Sequence, residues 1–322
     1  MAQTADHGGG IDAAARQYGG ARSDWIDLST GINPQPYPIA ALPADAWTAL
    51  PDSAALGSLL AAARRFWRVP DAAEVVAAPG ASALIARIPA LCPAPAFVPG
   101  PTYNEHARAF HNAGLPVTDA TAPVHVHVHP NNPDGKLWPE SVRGTQLTIV
   151  DESFGDIAPE TSMIARTAYP GTLVLKSFGK FWGLAGMRLG FAIGHPETLR
   201  GPNGRLADMI GPWAVSGPAL AIGAAALSDL VWAETTRARL AHDATRLDAM
   251  VCARGARLVG GTTLFRLYQV EDAALWQDRL ARQRIWSRIF PYSGTWLRLG
   301  LPPADGWDRL EQALATMTET AA

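Results

Sequence analysis

The sequence predicts an α/β protein built on a mostly parallel sheet. Three observations predict it. Short β-branched or alternating apolar runs recur between stretches of helical periodicity. The central runs end in polar, mostly glycine-containing motifs. Apolar residues make up 48% of a 322-residue chain, enough to bury a large core.

The elements follow in order. Residues 1–35 read as an irregular arm, with HGGG at 7–10, a short alanine-rich helix at 11–18, and then DLSTGINPQPYP. SAALGSLLAAARRFWR (53–68) has helical periodicity, with Asp52 and Ser53 as polar caps. EVVAAPG (74–80) reads as a strand running into a Gly-Ala-Ser turn, and ASALIARIPAL as the helix after it. AFVPGPTYNEH repeats strand, turn and helix. VHVHVHP (124–130) alternates as a strand and ends in NNPDG. LTIVDESF (147–154), GTLVLKSF (171–178) and RLGFAIG (188–194) are three more strands. Helical sequence over 217–254 leads into LVGGTTLFRLYQV, a helix at 273–283, the strands RIWSRIF and TWLRLGLP, and a closing helix at 305–319. The organisation expected is an arm (1–35), a large sheet domain (36–216), and a connecting helix with a small C-terminal domain (217–322).

Composition excludes several roles. Net charge is −2 and no Lys/Arg run stands out, so neither nucleic acid nor an anionic membrane is the expected partner. Cys92 and Cys252 lie far apart with no CxxC pair, which points away from a zinc site or disulfide framework and toward a reduced, cytoplasmic setting; no metal is expected. The first residues lack a basic segment followed by an apolar one, so no signal peptide is expected. No apolar stretch is long enough to span a bilayer.

In a parallel sheet, ligands collect at the carboxyl ends of the strands. Those ends carry GAS, NNPDG, DES and SFGK. The last belongs to LKSFGKFWGLAGMRLG (175–190), where glycines punctuate an otherwise apolar bend. A lysine held among apolar residues loses its proton more readily, and its neutral amine can attack an aldehyde. Ser177 and Arg188 offer a hydroxyl and a fixed cation for a phosphate, and glycine lets backbone approach a ligand. An aldehyde and a phosphate on one molecule describe pyridoxal phosphate. Lys176, by contrast, reads as a strand-end lysine with its head in solvent.

S-x-x-K followed by G-L-A-G-x-R-x-G resembles the lysine segment of fold-type I pyridoxal-phosphate enzymes, in the branch that holds histidinol-phosphate aminotransferases and threonine-phosphate decarboxylases. That resemblance implies a large domain with a mostly parallel seven-stranded sheet sandwiched by helices, and a small C-terminal α+β domain. It implies Lys180 as the lysine bound to the cofactor aldehyde, with Ser177 and Arg188 on its phosphate. Gly80, Ala81 and Ser82 resemble the turn whose amides also bind that phosphate. Tyr103 resembles the aromatic that stacks on the pyridine ring. Asn132 resembles the N-P-x-G asparagine on the phenolic oxygen, and Asp151 the partner of the ring nitrogen. The family's tyrosine three residues after that aspartate is Phe154 here.

The reaction is implied by the substrate end. HGGG and LSTGINP resemble the opening of the threonine-phosphate decarboxylases, placing His7, Gly8 and Gly31 near substrate. Arg298 resembles the arginine on the substrate carboxylate, and Arg288 one that contacts the substrate phosphate. The implied activity is decarboxylation of O-phospho-L-threonine to (R)-1-amino-2-propanol phosphate, the linker of the cobalamin nucleotide loop. The alternative is an aminotransferase for histidinol phosphate or a related amino acid. Two positions depart from the pattern. The family's asparagine two residues before N-P is Gly31, and its tyrosine-proline, where tyrosine reaches the partner subunit of a homodimer, is Leu50-Pro51.

Overall fold

The computed structural model describes residues 8–316 and divides the chain into two compact units. One holds residues 36–132 and 136–235. The other holds 8–35, Pro133–Gly135 and 236–316. The first is built on a seven-stranded sheet formed by β1 (Glu74–Ala78), β2 (Ala96–Phe97), β3 (Val117–Thr118), β4 (Val124–Val128), β5 (Leu147–Asp151), β6 (Thr172–Ser177) and β7 (Gly190–Gly194). Their order across the sheet is β1-β7-β6-β5-β4-β2-β3, and only β7 runs against its neighbours.

The central strands β5, β6 and β7 are almost wholly buried, as expected of parallel strands covered on both faces. The core on one face gathers Val76, Leu84, Ile88, Phe110, Val124, Ile149 and Leu175. The helix Ser53–Trp67 starts where expected, because the Asp52 carboxylate accepts from the amides of Ala54 and Ala55.

Two expected helices are each broken in two, for identifiable reasons. ASALIARIPAL forms Ala81–Ile85 and Ile88–Leu91, since Pro89 has no N–H to continue the first helix. The stretch 217–254 forms Gly217–Ser228 and Leu230–Cys252, since the Asp229 carboxylate accepts from the Trp232 amide and caps a new helix.

The second unit carries an antiparallel sheet of β8 (Arg257–Thr262), β9 (Phe265–Gln269), β10 (Arg288–Phe290) and β11 (Ser293–Gly300), ordered β8-β9-β11-β10. The two-residue strands Ile26–Asp27 and Ile285–Trp286 pair in parallel, tying the N-terminal arm into this unit. The closing helix is described as Trp307–Ala315.

Candidate active site

The carboxyl ends of β1, β4, β5 and β6 surround a cavity of about 190 Å³. Its walls include Ala81, Ser82, Tyr103, Asn132, Asp151, Phe154, Ser177, Lys180 and Arg188. Residues spread over more than a hundred positions of sequence therefore face one space.

Asp151 ends β5 and is 1% exposed. Its Oδ2 lies 2.7 Å from His106 Nε2. Its Oδ1 accepts from the Ser153 amide at 2.9 Å and the Ser153 hydroxyl at 2.6 Å. Burial alone would push this carboxyl up, but His106 and Ser153 outweigh it and hold it below the usual range. Asp151 is thus an ionised carboxylate in a dry place.

Tyr103 packs edge-on to His106, with ring centroids 6.0 Å apart. Burial first, and then the charges of Asp151 and Glu105, push its phenol up to about 12 against the bond to Ser82 and the charge of Arg188. It is a neutral ring.

The turn holding Gly80 depends on glycine. Its φ is +90°, and a Cβ there would stand 2.5 Å from Arg188 Nη2. A Cβ on Gly190 would stand 2.3 Å from the Ala81 amide nitrogen. The Arg188 guanidinium is therefore pressed against the Gly-Ala-Ser turn, and Arg188 itself adopts a left-handed φ of 55° to reach it. The helix opened by this turn has five residues, so what it offers an anion is amides rather than a long dipole.

Lys180 follows Ser177 in a turn built on aromatic packing. Its Nζ stands 5.4 Å from the Phe154 ring centroid. Phe178 and Trp232 stack on the two sides of Trp182, at 5.0 and 5.2 Å, and Phe181 meets Trp182 edge-on at 5.2 Å. These contacts explain the apolar half of the motif: they seat the bend. Lys176 differs from its expected place. It is 1% exposed, with Nζ 2.7 Å from Glu152 and 3.5 Å from Asp156, because buried acids await it behind the strand end.

The remaining candidates belong to the second unit. Arg288 and Arg298 are directly opposite on β10 and β11, so their side chains share a face. Arg298 is 5% exposed, and its Nη2 donates to the Ser29 carbonyl at 2.6 Å. Burial, then the charge of Arg288, lower its pKa to about 10. Gly8 meets the same carbonyl: a Cβ there would be 2.5 Å from Ser29 O. The Gly9 amide donates to Ser29 Oγ at 2.6 Å, and the Trp286 indole donates to the Gly9 carbonyl. Gly31 is buried nearby in sequence. His7 lies outside the described residues.

Three residues at the cavity carry roles that motif reading missed. His106 and Ser153 hold Asp151; the serine of DES sits beside its partner in sequence, whereas His106 carries no local signal. Asn131 bridges two loops: it accepts from Thr102 Oγ1 at 2.6 Å, its Nδ2 donates to the Pro101 carbonyl at 3.1 Å, and its amide donates to the Lys136 carbonyl. It therefore ties the loop of Tyr103 to the loop of Asn132.

The chain belongs to the aminotransferase class I and II family, whose profile matches residues 118–315. It is 41% identical to a threonine-phosphate decarboxylase from a Sinorhizobium species, over 97% of this chain and 98% of that one. It is 38% identical to the threonine-phosphate decarboxylase of Pseudomonas aeruginosa, over 98% and 99% respectively. A histidinol-phosphate aminotransferase from Sinorhizobium meliloti, solved in complex with pyridoxal-5'-phosphate, superposes with a TM-score of 0.78 over 98% of this chain and 96% of that one. At 19% identity, that match establishes the fold: fold-type I, with its mostly parallel seven-stranded sheet.

Proposed function

We propose that the protein is a pyridoxal-phosphate-dependent decarboxylase that converts O-phospho-L-threonine to (R)-1-amino-2-propanol phosphate and CO₂, supplying the linker of the cobalamin nucleotide loop. The threonine-phosphate decarboxylases it matches end to end support this reading. The observation that carries it is the pair Arg288 and Arg298. Two guanidiniums directly opposite on neighbouring strands concentrate positive charge on one face, and burial, then the charge of Arg288, lower the pKa of Arg298, so this face favours anions. A substrate with a carboxylate and a phosphate supplies two.

The residues present fit the cofactor. Arg188, Ser177, Ser82 and the amides after Gly80 can hold its phosphate. Asp151, kept ionised, can hold a proton on the ring nitrogen. Tyr103 offers a neutral ring to stack on the pyridine, Asn132 an amide for its ring oxygen, and Lys180 an amine for its aldehyde. Bound pyridoxal phosphate supplies a carbonyl that condenses with amines and a ring that accepts the electron pair left when a bond to the substrate's α-carbon breaks.

The chain's own residues then do four things. Lys180 would hold the cofactor by its aldehyde, and it is the amine that lines the cavity where a proton is needed at the α-carbon. Asp151, held ionised by His106 and Ser153, would keep a proton on the ring nitrogen. Arg298 takes the substrate carboxylate. Arg288 and the Gly8 segment take its phosphate, so both anionic ends are held and the breaking bond is selected by orientation.

We further propose a cytoplasmic homodimer without nucleic-acid or membrane partners. Trp47, Leu50, Leu56 and Trp213 are 70%, 69%, 39% and 61% exposed, which suits a partner surface at the segment where the family's tyrosine is Leu50. Among the described residues no helix is long and apolar enough to cross a membrane.

The test loads the protein with pyridoxal phosphate and supplies O-phospho-L-threonine. CO₂ should form without 2-oxoglutarate, and Lys180→Ala should lose both activity and the ~410–430 nm absorbance of the lysine-bound cofactor. Nitrogen transfer from glutamate with no CO₂ from phosphothreonine would establish the aminotransferase instead.

A further inference from the structure

Behind the cavity lies a second cluster of ionisable groups to which the reaction above assigns nothing. Lys176, Glu152 and Asp156 are 1%, 1% and 4% exposed. Lys176 Nζ reaches Glu152 Oε2 at 2.7 Å and Asp156 Oδ1 at 3.5 Å. Glu152 is otherwise satisfied by the Ser162 hydroxyl at 2.6 Å and the Met163 amide at 2.7 Å. Asp156 accepts from two indoles, Trp67 Nε1 at 2.8 Å and Trp182 Nε1 at 2.9 Å.

Each charged member sits one or two residues from a wall of the cavity. Glu152 follows Asp151, Lys176 precedes Ser177, and Asp156 lies two residues past Phe154. Trp182 lies two residues past Lys180, in the same turn. The cluster thus joins four wall residues from behind, through contacts water does not reach. Such a group is costly to bury and expensive to break, since removing one partner leaves the others uncompensated. Apolar residues could fill the same volume with less at stake; what the cluster adds over packing is directional bonds. Arg or Lys held by two acids defines distances; stacked rings alone permit sliding.

We propose that Lys176, Glu152 and Asp156 form a positioning unit for Lys180, in which the Asp156–Trp182 hydrogen bond fixes the lysine turn against the strand end that carries Asp151. Lys176 keeps Asp156 in place by charge. This rests on reading the cavity as a pyridoxal-phosphate site, and the two can fail separately. The wild-type protein either binds the cofactor through Lys180 or does not. The positioning role is read from variants of a protein that does.

The experiment uses the loaded protein and compares Trp182→Phe with Trp67→Phe. Each removes one indole donor to Asp156 and keeps an aromatic ring. Trp67 lies on the helix Ser53–Trp67, which carries no wall residue of the cavity. Three readouts are taken: thermal midpoint, rate of cofactor loss on dilution, and circular dichroism of the cofactor band near ~420 nm, which reports fixed orientation. Both variants should lose thermal stability. Only Trp182→Phe should speed cofactor loss, on the order of tenfold, and weaken the dichroic band. Lys176→Met should do the same, and Lys176→Arg should restore retention to within about twofold of wild type. If Trp182→Phe and Trp67→Phe lose the same stability and leave cofactor retention and dichroism alike, the cluster is a structural brace and the proposal is overturned. If Lys176→Met does not fold, the tryptophan pair still decides.

Discussion

Strand β4 brings a buried histidine into a place that makes acid stability measurable. His127 is 1% exposed, and neither ring nitrogen has a hydrogen-bond partner. Trp138 packs on it at 4.6 Å between ring centroids, His125 at 5.7 Å and Phe97 at 6.3 Å. Burial above all, then the charges of His125, Arg166, His129 and Lys136, lower its pKa from the ordinary 6.5 to about 4. The sign follows from linkage. The unfolded chain takes the proton first, so stability is fully present above the unfolded pKa and is lost as pH falls toward the folded one. With those two pKa values the loss at pH 5 is at most about 2 kcal/mol, and close to zero above pH 7.5. His127→Phe removes the titration and keeps an aromatic ring among aromatic neighbours. Because replacing an unpaired buried polar group by an apolar one of similar shape is near neutral, the variant should match wild type within about 1 kcal/mol at pH 7.5. At pH 5 it should be more stable by about 2 kcal/mol relative to that baseline. Urea unfolding followed by tryptophan fluorescence at the two pH values measures both numbers. A gap between the proteins that stays constant with pH would refute the assignment of His127 as a buried neutral base.

Three further outcomes follow from the sites. Gly8→Ala places a methyl 2.5 Å from the Ser29 carbonyl that also receives Arg298; steady-state kinetics should show KM for O-phospho-L-threonine rising on the order of tenfold, with the cofactor band unchanged. Arg288→Met removes the guanidinium directly opposite Arg298, so kcat/KM should fall on the order of a hundredfold through loss of a charge-assisted contact; an intact kcat/KM would contradict the paired-arginine reading. His106→Ala leaves Asp151 with only the Ser153 bonds against its burial, so the carboxyl should rise and kcat should fall with decreasing pH earlier than in wild type, seen as a shifted acid limb of the pH–rate profile.

What could be read from sequence, and what could not, divides along contact distance. Lys180, Ser177 and Arg188 share one short segment, and Asn132 and Asp151 sit at the ends of plainly alternating or β-branched strands. Local pattern suffices to bring those out. His106 acquires its role only from Asp151, 45 residues away, and nothing within EHARAF marks it. Asn131 looks like the first half of a turn signal, yet it binds the loop of Tyr103 while its neighbour faces the cavity. A lysine at a strand end usually has its head in solvent, and Lys176 does not. Its burial is decided by Glu152 and Asp156, whose own burial depends on tertiary packing. Among the elements, strands such as Val117–Thr118, Ile26–Asp27, Arg200–Gly201 and Gly204–Arg205 carry no sequence signal, since two residues are too short to show any period.

The same distinction explains how the chain can carry glycine where the family pattern has asparagine at position 31. The segment from Leu28 to Gly31 runs along the end of β11. The Gly300 amide donates to the Leu28 carbonyl at 2.6 Å, and a Cβ on Gly300 would stand 2.2 Å from the Thr30 carbonyl. One residue over, the Ser29 carbonyl takes Arg298. The loop is thus registered to the arginine strand through three successive carbonyls. Asn33, the asparagine of GINP, turns its side chain to Arg239 at 2.7 Å and to the Gln35 amide, so it braces the loop. A loop aligned by its backbone can present main-chain groups of Gly31 in a fixed place without a side chain to aim. On the proposed reading, selection among substrates would fall to the two arginines and to the Gly8 segment that shares the Ser29 carbonyl with Arg298, which is why Gly8→Ala should raise KM while leaving the cofactor spectrum alone.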